Sequence, residues 1–417
     1  MMIEAVKKLI YVSPYFFPLY LIRFQVVGIP FTALELFTYV LFVLWYIERI
    51  RDRKIFVWDP RVREYFYAGL LLFIGASLGA IFIHPFIQLP DGVWVDAQQI
   101  ALGVWKGWIL APLLYFIVLV QVFKTPLQVR TLLRQFVYSA VLVALVSYGY
   151  GFLGDGITYD FRLRGFFDSA NYLALYIAPA FLLTVYFVTT RESQNKKQNY
   201  MDLASLIILA HALLFSQSYA AILGIFGALA FYILRHYHCS NLKRVFAALL
   251  VLGGALLLIL STQIYTGKFQ RFLDFKNRSS TSVRVEIYQV SANLLQKHPL
   301  LGIGLGQFQN QYQTNAVRVL GHSPLEWNMP HPHNIFLAFW MNAGLAGLIA
   351  LLLLIALMHQ SFTYPLIAMW GILLHGFFDT PFWKNDLAMI FWLLAAAIVI
   401  LQSPAHSSAQ KPAHTKK

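Results

Sequence analysis

Apolar runs of roughly twenty residues recur along almost the whole chain, parted by short polar breaks. A window reading finds about twelve of them, at 9–27, 31–47, 66–83, 100–123, 134–153, 170–189, 201–217, 219–234, 245–264, 334–357, 362–378 and 387–402. In lipid a spanning segment must satisfy its own backbone polar groups, so these runs predict helices. A membrane β-barrel would show short alternating segments instead. The expected fold is therefore an all-α polytopic membrane protein of about 12 transmembrane helices. Its longest break, 265–333, is read as one large extracytoplasmic loop carrying the chemistry. Residues 1–402 form a single transmembrane domain, and the small polar residues of 403–417 read as a disordered cytoplasmic tail. No internal repeat of fixed period is visible.

Composition sharpens this picture. The chain has 417 residues, 59% hydrophobic and 12% charged, where soluble domains carry about 25% charged residues. Its net charge of +14 would suggest nucleic acid in a soluble protein. Here the basic residues fall into alternate breaks, as Arg49, Arg51, Arg53 and Lys54 do, then Lys124 and Arg130, then Lys196 and Lys197. That is the bias of cytoplasmic loops, so no nucleic-acid partner is expected and both termini are placed inside. Cys239 is the single cysteine, which excludes an internal disulfide and a cysteine-cluster metal site. In RHYHCSNLKR it reads as part of an interfacial segment. Met1 to Lys8 show no cleavable-signal pattern.

This orientation gathers the less usual residues on the outer side: Arg162, Arg164, the SQSY turn with Tyr219, Arg284, His331, His333, Asp379 and Lys384. SSTSVRVEIYQVSANLLQKHP reads as a capped helix on which Arg284 and Tyr288 share a face. Arg284 could fork onto phosphate; the helix alone favours a plain surface arginine paired with Glu286 or a lipid headgroup. HPLLGIGLGQF lacks the strand and helix that a dinucleotide fingerprint needs. Its glycines read as a tight turn re-entering the protein, with His298 at a helix C-terminus. In HPHN, His331 and His333 precede a long apolar span, where an imidazole can take a proton from a sugar hydroxyl. Two histidines with few carboxylates nearby (Glu326, Asp379) make a weak metal set, so no metal is expected. Asn334 reads as a helix cap or a substrate contact. Arg162 and Arg164, among Phe161, Phe166 and Phe167, read as a headgroup grip or as ordinary interfacial anchoring. Asp168 and Asn171 are expected to cap the following helix. Arg23 and Glu35, inside the first two spans, are expected to pair. Asp379, Trp383 and Lys384 could line the rim of a site or anchor helix ends.

The order of these elements, an arginine on a helix, then HPLLGIGLGQF, then HPHNIFLAFWMNAGLAGL, resembles the O-antigen ligase and polymerase family of bacterial membrane glycosyltransferases. RLRGFFDSANYLALYIAP is similar to a further family segment. The resemblance covers about 160–390; the first 150 residues match only in style. It implies a GT-C-like architecture in the bacterial inner membrane and a polyprenyl-diphosphate-linked glycan as donor. The acceptor would be a glycan or lipid-linked glycan among membrane lipids. It implies that Arg284 holds the diphosphate, that His333 activates the acceptor hydroxyl, and that Arg164 could share the diphosphate. By their place on the outer side, Arg162, Tyr219, Tyr288, His331, Asn334 and Lys384 are read as further substrate contacts, and the resemblance implies no cofactor. One departure stands out: many members carry Ser-Arg-Gly where this chain has Ser218, Tyr219 and Ala220. Either Arg162 or Arg164 replaces that arginine, or the donor or activity differs. A transporter or flippase is the competing class, but it predicts inverted repeats, which are not seen. A scaffold role is the third reading, should Tyr219 mark lost activity. Ligase, polymerase and protein O-glycosylation differ only in acceptor, which nothing here identifies.

Overall fold

The computed structural model describes residues 2–26, 29–52, 58–190, 195–236, 242–266, 269 and 278–403. Cys239 and the expected tail beyond Ser403 lie outside the described residues. The molecule is mostly helical, and among the described residues eight helices are long and apolar enough to cross a membrane. Tyr219–Arg235 and Pro365–His375 are shorter apolar helices. The expected spans from 31–47 onward each coincide with a helix, from Ala33–Arg51 through Asn385–Gln402.

The first expected span is not one helix. Met2–Val12 is α-helical, Ser13–Leu21 is a 3-10 helix, and Arg23–Val26 is a strand paired with Ile29–Thr32. Pro14 and Pro18 lie within the 3-10 stretch; each lacks an N–H, so the α-helical ladder cannot run through. The expected Arg23–Glu35 pair does not form either. Arg23 is exposed on its strand, while Glu35, 2% exposed, pairs with Lys106. Asn385 Nδ2 donates to Glu35 Oε1 at 3.0 Å, and Trp108 Nε1 donates to Asn385 Oδ1 at 2.9 Å. Lys106 was hidden in the sequence because it sits inside an apolar span, on a π-helical turn, Trp105–Leu110.

Asn385–Gln402 is the bundle's axis. It is buried along nearly its whole length and packs against Ala111–Val122, Pro365–His375 and the Pro126–Phe152 helix. A helix apolar on all sides needs such surroundings.

The HPLLGIGLGQF stretch locks a broken helix. Ile335–Met358 is interrupted at Ala343 and Gly344, the latter at φ +66. The free backbone groups there are satisfied from outside. Ile303 N–H donates to Met341 O at 2.9 Å and Leu345 N–H to Leu300 O at 2.9 Å, and the Asn342 side-chain Oδ1 accepts from Gly306 N–H at 2.7 Å. Gly302, Gly304 and Gly306 all take positive φ, which other residues rarely adopt. The expected tight re-entrant turn is thus present, and His298 caps the Ser280–Lys297 helix at its C-terminus.

Candidate functional site

Three segments converge at one end of the bundle: the Ser280–Lys297 helix, the 321–334 loop and the 376–384 loop. Ser279 opens the helix with a capping box to Ser282, which fixes where Arg284 and Tyr288 face. Arg284 Nε donates to Phe378 O at 3.2 Å and an Nη to Ser280 O at 3.0 Å. It does not use Glu286, which is buried and accepts from Leu325 N–H at 2.8 Å. The Tyr288 hydroxyl donates to His333 O at 3.1 Å and to Phe377 O at 3.3 Å. One tyrosine thus ties the histidine loop to the last loop.

His333 is held in a backbone conformation at φ +48, unusual for a residue with a bulky side chain. Asn334 then caps the next helix through its side-chain oxygen, accepting from Phe336 N–H and Leu337 N–H at 3.0 and 3.1 Å. Between these two features the imidazole is aimed by the chain rather than by chance. His333 Nδ1 lies 3.6 Å from Asp379 Oδ1, and His331 Nε2 lies 3.9 Å from the same oxygen. The two rings stand 4.3 Å apart, edge to face, and Tyr172 packs its edge on His331 at 6.1 Å. Neither His331 Nδ1 nor His333 Nδ1 has a hydrogen-bond partner among the described residues, although both atoms are buried.

Asp379 is 1% exposed. Burial works against its charge, yet the His333 ring beside it, then His331 and His375, hold the carboxyl below the ordinary carboxylate range. Burial, followed by the neighbouring His333, pushes His331 down to about 3, so it is a neutral imidazole at physiological pH. The three side chains place their ligand atoms within 4.8 Å of one another, and a metal ion could be held there by two imidazoles and one carboxylate. Sequence reading placed Asp379 only at a possible rim; its role as the shared partner of both histidines depends on a loop nearly fifty residues away in the chain.

Two cavities meet at this site. An apolar one of about 580 Å³ is lined by Tyr219, Leu223, Val285, Tyr288, Leu374 and Phe378. A polar one of about 230 Å³ includes Asp160, Arg278, Glu326 and His333. Arg162, Asn171, Ser280 and Arg284 line both. Arg162 is fixed by Nε to Ser216 O at 2.8 Å and by an Nη to Asn171 Oδ1 at 2.6 Å. Burial lowers its pKa, but an arginine so far from neutrality stays charged.

Several expected assignments move. Arg164 faces neither cavity; it donates to Phe167 O and Asp155 O at 3.1 and 2.7 Å and so braces its own loop. Asn171 serves Arg162, and Ser169 rather than Asp168 caps the next helix, accepting from Tyr172 N–H at 3.3 Å. Lys384 is not at a rim. It is 7% exposed, with Nζ 3.8 Å from the Tyr172 ring centre, 4.8 Å from Tyr20 and 3.9 Å from Asp168 Oδ2. Burial, first of all, lowers its pKa. It stands behind His331 as a support for Tyr172.

The fold and site together define a polytopic helical membrane protein with a charged, two-chambered site at one end of its bundle. Residues 204–352 match the O-antigen ligase family model, a stretch that holds Tyr219, Arg284, His331 and His333. This match supports assigning the chain to the O-antigen ligase/polymerase family and a glycan function in a membrane. A search of curated proteins finds no match to this chain.

Proposed function

We propose that the protein transfers a glycan from a polyprenyl-diphosphate carrier to a hydroxyl acceptor at the outer face of the bacterial inner membrane, as an O-antigen ligase does. Both termini face the cytoplasm in this reading, and 265–333 is extracytoplasmic. The observation that carries it is the shared wall: Arg162 and Arg284 stand where an apolar cavity meets a polar one. A ligand with an isoprenoid chain, a diphosphate and a sugar has that same order of chemistry. The two guanidiniums would grip the diphosphate and neutralise the charge it gains as it leaves. His333 in the polar cavity takes the proton of the acceptor hydroxyl. The oxygen attacks the anomeric carbon, and the bond to the diphosphate breaks with inversion. With Nδ1 turned to Asp379 Oδ1, 3.6 Å away, Nε2 is left as the base.

Arg162 also answers the missing arginine. Its anchor is Ser216 O, at the end of the helix that precedes the turn to Tyr219, which supports Arg162 as the replacement. Tyr219 lines the apolar cavity and would contact the carrier. A polymerase differs only in taking a second lipid-linked glycan as acceptor. A specific observation favours one other reading: the spacing of His331, His333 and Asp379 would suit a divalent metal.

The test uses the protein in nanodiscs with a synthetic polyprenyl-diphosphate glycan and a panel of acceptors, with and without chelator. Transfer that survives chelator and is lost in His333→Ala and Arg284→Ala supports the metal-free reading. Loss on chelation, restored by added metal, replaces His333 as base with a metal centre. Retained transfer by a folded His333→Ala protein removes the reading altogether.

A further inference from the structure

A further cavity lies away from both chambers of the site. It has a volume of about 220 Å³ and is lined by Lys7, Trp45, Glu48, Arg49, Asp52 and Gln121. Glu35, at the start of the Ala33–Arg51 helix, meets Asn385 beside the site's last loop. Glu48 lies about 20 Å further along that helix, so this cavity belongs to the other end of the bundle. Glu48 is 5% exposed. Its Oε1 accepts from Ile3 N–H at 2.6 Å, which fastens the start of the Met2–Val12 helix. Its Oε2 is buried and has no hydrogen-bond partner among the described residues. Arg49 is held in place by an Nη that donates to Gln121 Oε1 at 3.0 Å, with the Trp45 ring centre 6.0 Å from its guanidinium. The Arg49 Nε is likewise buried and without a partner among the described residues. Lys7 Nζ reaches Glu4 Oε1 at 2.7 Å in a largely exposed pair, the kind that exchanges at little cost. A buried polar atom left unpaired is expensive. One wall therefore calls for a donor and its neighbour for an acceptor.

We propose that this cavity holds the headgroup of a bilayer phospholipid that carries both an amine and a phosphate, with the ammonium on Glu48 Oε2 and the phosphate between Arg49 Nε and Lys7. Three arguments converge. The wall has two cations, Lys7 and Arg49, against two carboxylates, Glu48 and Asp52, a balance that suits a zwitterion rather than an anion. The two unpartnered atoms differ in kind, an acceptor on Glu48 and a donor on Arg49, and a phosphoethanolamine group answers both with charge-assisted bonds. The Ala33–Arg51 helix also exposes Leu36, Val40, Val43, Ile47 and Ile50. That apolar stripe along a membrane helix gives acyl chains a surface, which a soluble zwitterion would not use. The volume lies below the roughly 300–1,000 Å³ of drug-sized sites and admits a small headgroup. Because Glu48 fastens the first helix to Ala33–Arg51, such a lipid would tie the start of the chain to the bundle. The inference does not depend on the glycan-transfer reading.

The experiment is native mass spectrometry of the full-length, delipidated protein in detergent, titrated with lipids of identical acyl chains. Phosphatidylethanolamine and its N,N-dimethyl derivative keep an N–H donor; phosphatidylcholine has none, and phosphatidylglycerol has no amine. The first two are expected to bind about tenfold more tightly than the last two, the scale of a lost hydrogen bond to a charged group. Glu48→Gln should bring all four lipids close to parity, since the carboxylate that selects the amine is gone. Arg49→Gln should weaken all four alike, since each carries a phosphate. Equal binding of phosphatidylethanolamine and phosphatidylcholine by the unmutated protein would overturn the proposal. So would a preference for the amine that survives Glu48→Gln, because it would place the lipid elsewhere. Should Glu48→Gln fail to fold, Arg49→Gln decides the location, and binding untouched by it sinks the site. Glycerophosphoethanolamine, which has the headgroup and no acyl chains, is the last arm. It is expected to leave the bound lipid in place at equal concentration; displacement would move the ligand from the membrane to solution and overturn the lipid assignment.

Discussion

Two of the buried polar clusters among the described residues are built on opposite plans. In the Lys106–Glu35–Asn385 cluster both Glu35 oxygens are partnered, one by Lys106 and one by Asn385, whose own oxygen accepts from Trp108. In the His331–His333–Asp379 cluster the geometry is as deliberate, yet two ring nitrogens are left without hydrogen bonds and the contacts stretch to 3.6 and 3.9 Å. The first cluster lines neither of the two cavities of the site and adjoins a glycine, Gly107, where an added Cβ would come within 2.6 Å of both Glu35 and Asn385. The second includes a residue of the polar cavity wall. Saturated bonding marks a group that holds the fold; unsaturated bonding beside a cavity marks one awaiting a ligand.

The comparison is broken most directly by mutating one member of each. His333→Ala should lower transfer by about 10²–10⁴-fold, the usual worth of a positioned general base, with a fall in melting temperature smaller than that of Lys106→Met, since His331 and His375 still face the buried Asp379 carboxyl. A large loss of thermal stability would make His333 structural. Lys106→Met should do the reverse. It strands a buried carboxylate, a loss of about 3–5 kcal/mol, read as a large fall in melting temperature while transfer per folded molecule persists. Unchanged stability would show that Glu35 gives up its charge without consequence. A smaller effect of the same kind is expected at the helix break: Gly344→Ala puts a Cβ 2.4 Å from Leu300 O at a positive φ. Strain of about 1–3 kcal/mol should appear as a melting shift smaller than that of Lys106→Met, with His333 chemistry intact.

How much of this was legible in the sequence follows the same division. Helices were readable because lipid demands long apolar runs: from 31–47 onward each run coincides with a helix, though only eight of the described helices are long and apolar enough to cross a membrane. The first failed where Pro14 and Pro18 cut an apolar run that hydropathy alone cannot tell from a helix. Asn334 and the glycine turn were legible since caps and positive φ are local chemistry. Arg284 with Tyr288 was legible from helical spacing. Arg162 could be told from Arg164 only in three dimensions: two residues apart, one faces the cavities and the other its own loop. Lys106 and Asp379 were missed as partners for one reason. Each acts on residues far along the chain, and a single sequence carries no signal of which distant loops meet. Lys384 misled because a charge between apolar runs usually reaches water, whereas here three aromatic rings enclose it.

The smallest effect is the most discriminating for the histidine pair. His331 is held down to about 3 by burial, then by His333, against an ordinary value near 6.5. Between those values the unfolded chain binds a proton that the folded chain refuses, so stability rises with pH across that window and is lost on acidification. From pH 7 to about 5.5 the loss expected from this group is about 1 kcal/mol. The thermal midpoint should therefore fall in that range for the unmutated protein and fall less for His331→Asn, which cannot take up a proton. Parallel curves would mean that His331 is protonated as readily in the folded site as in water. It would then share the Asp379 carboxylate as a cation rather than stand beside it as a neutral imidazole.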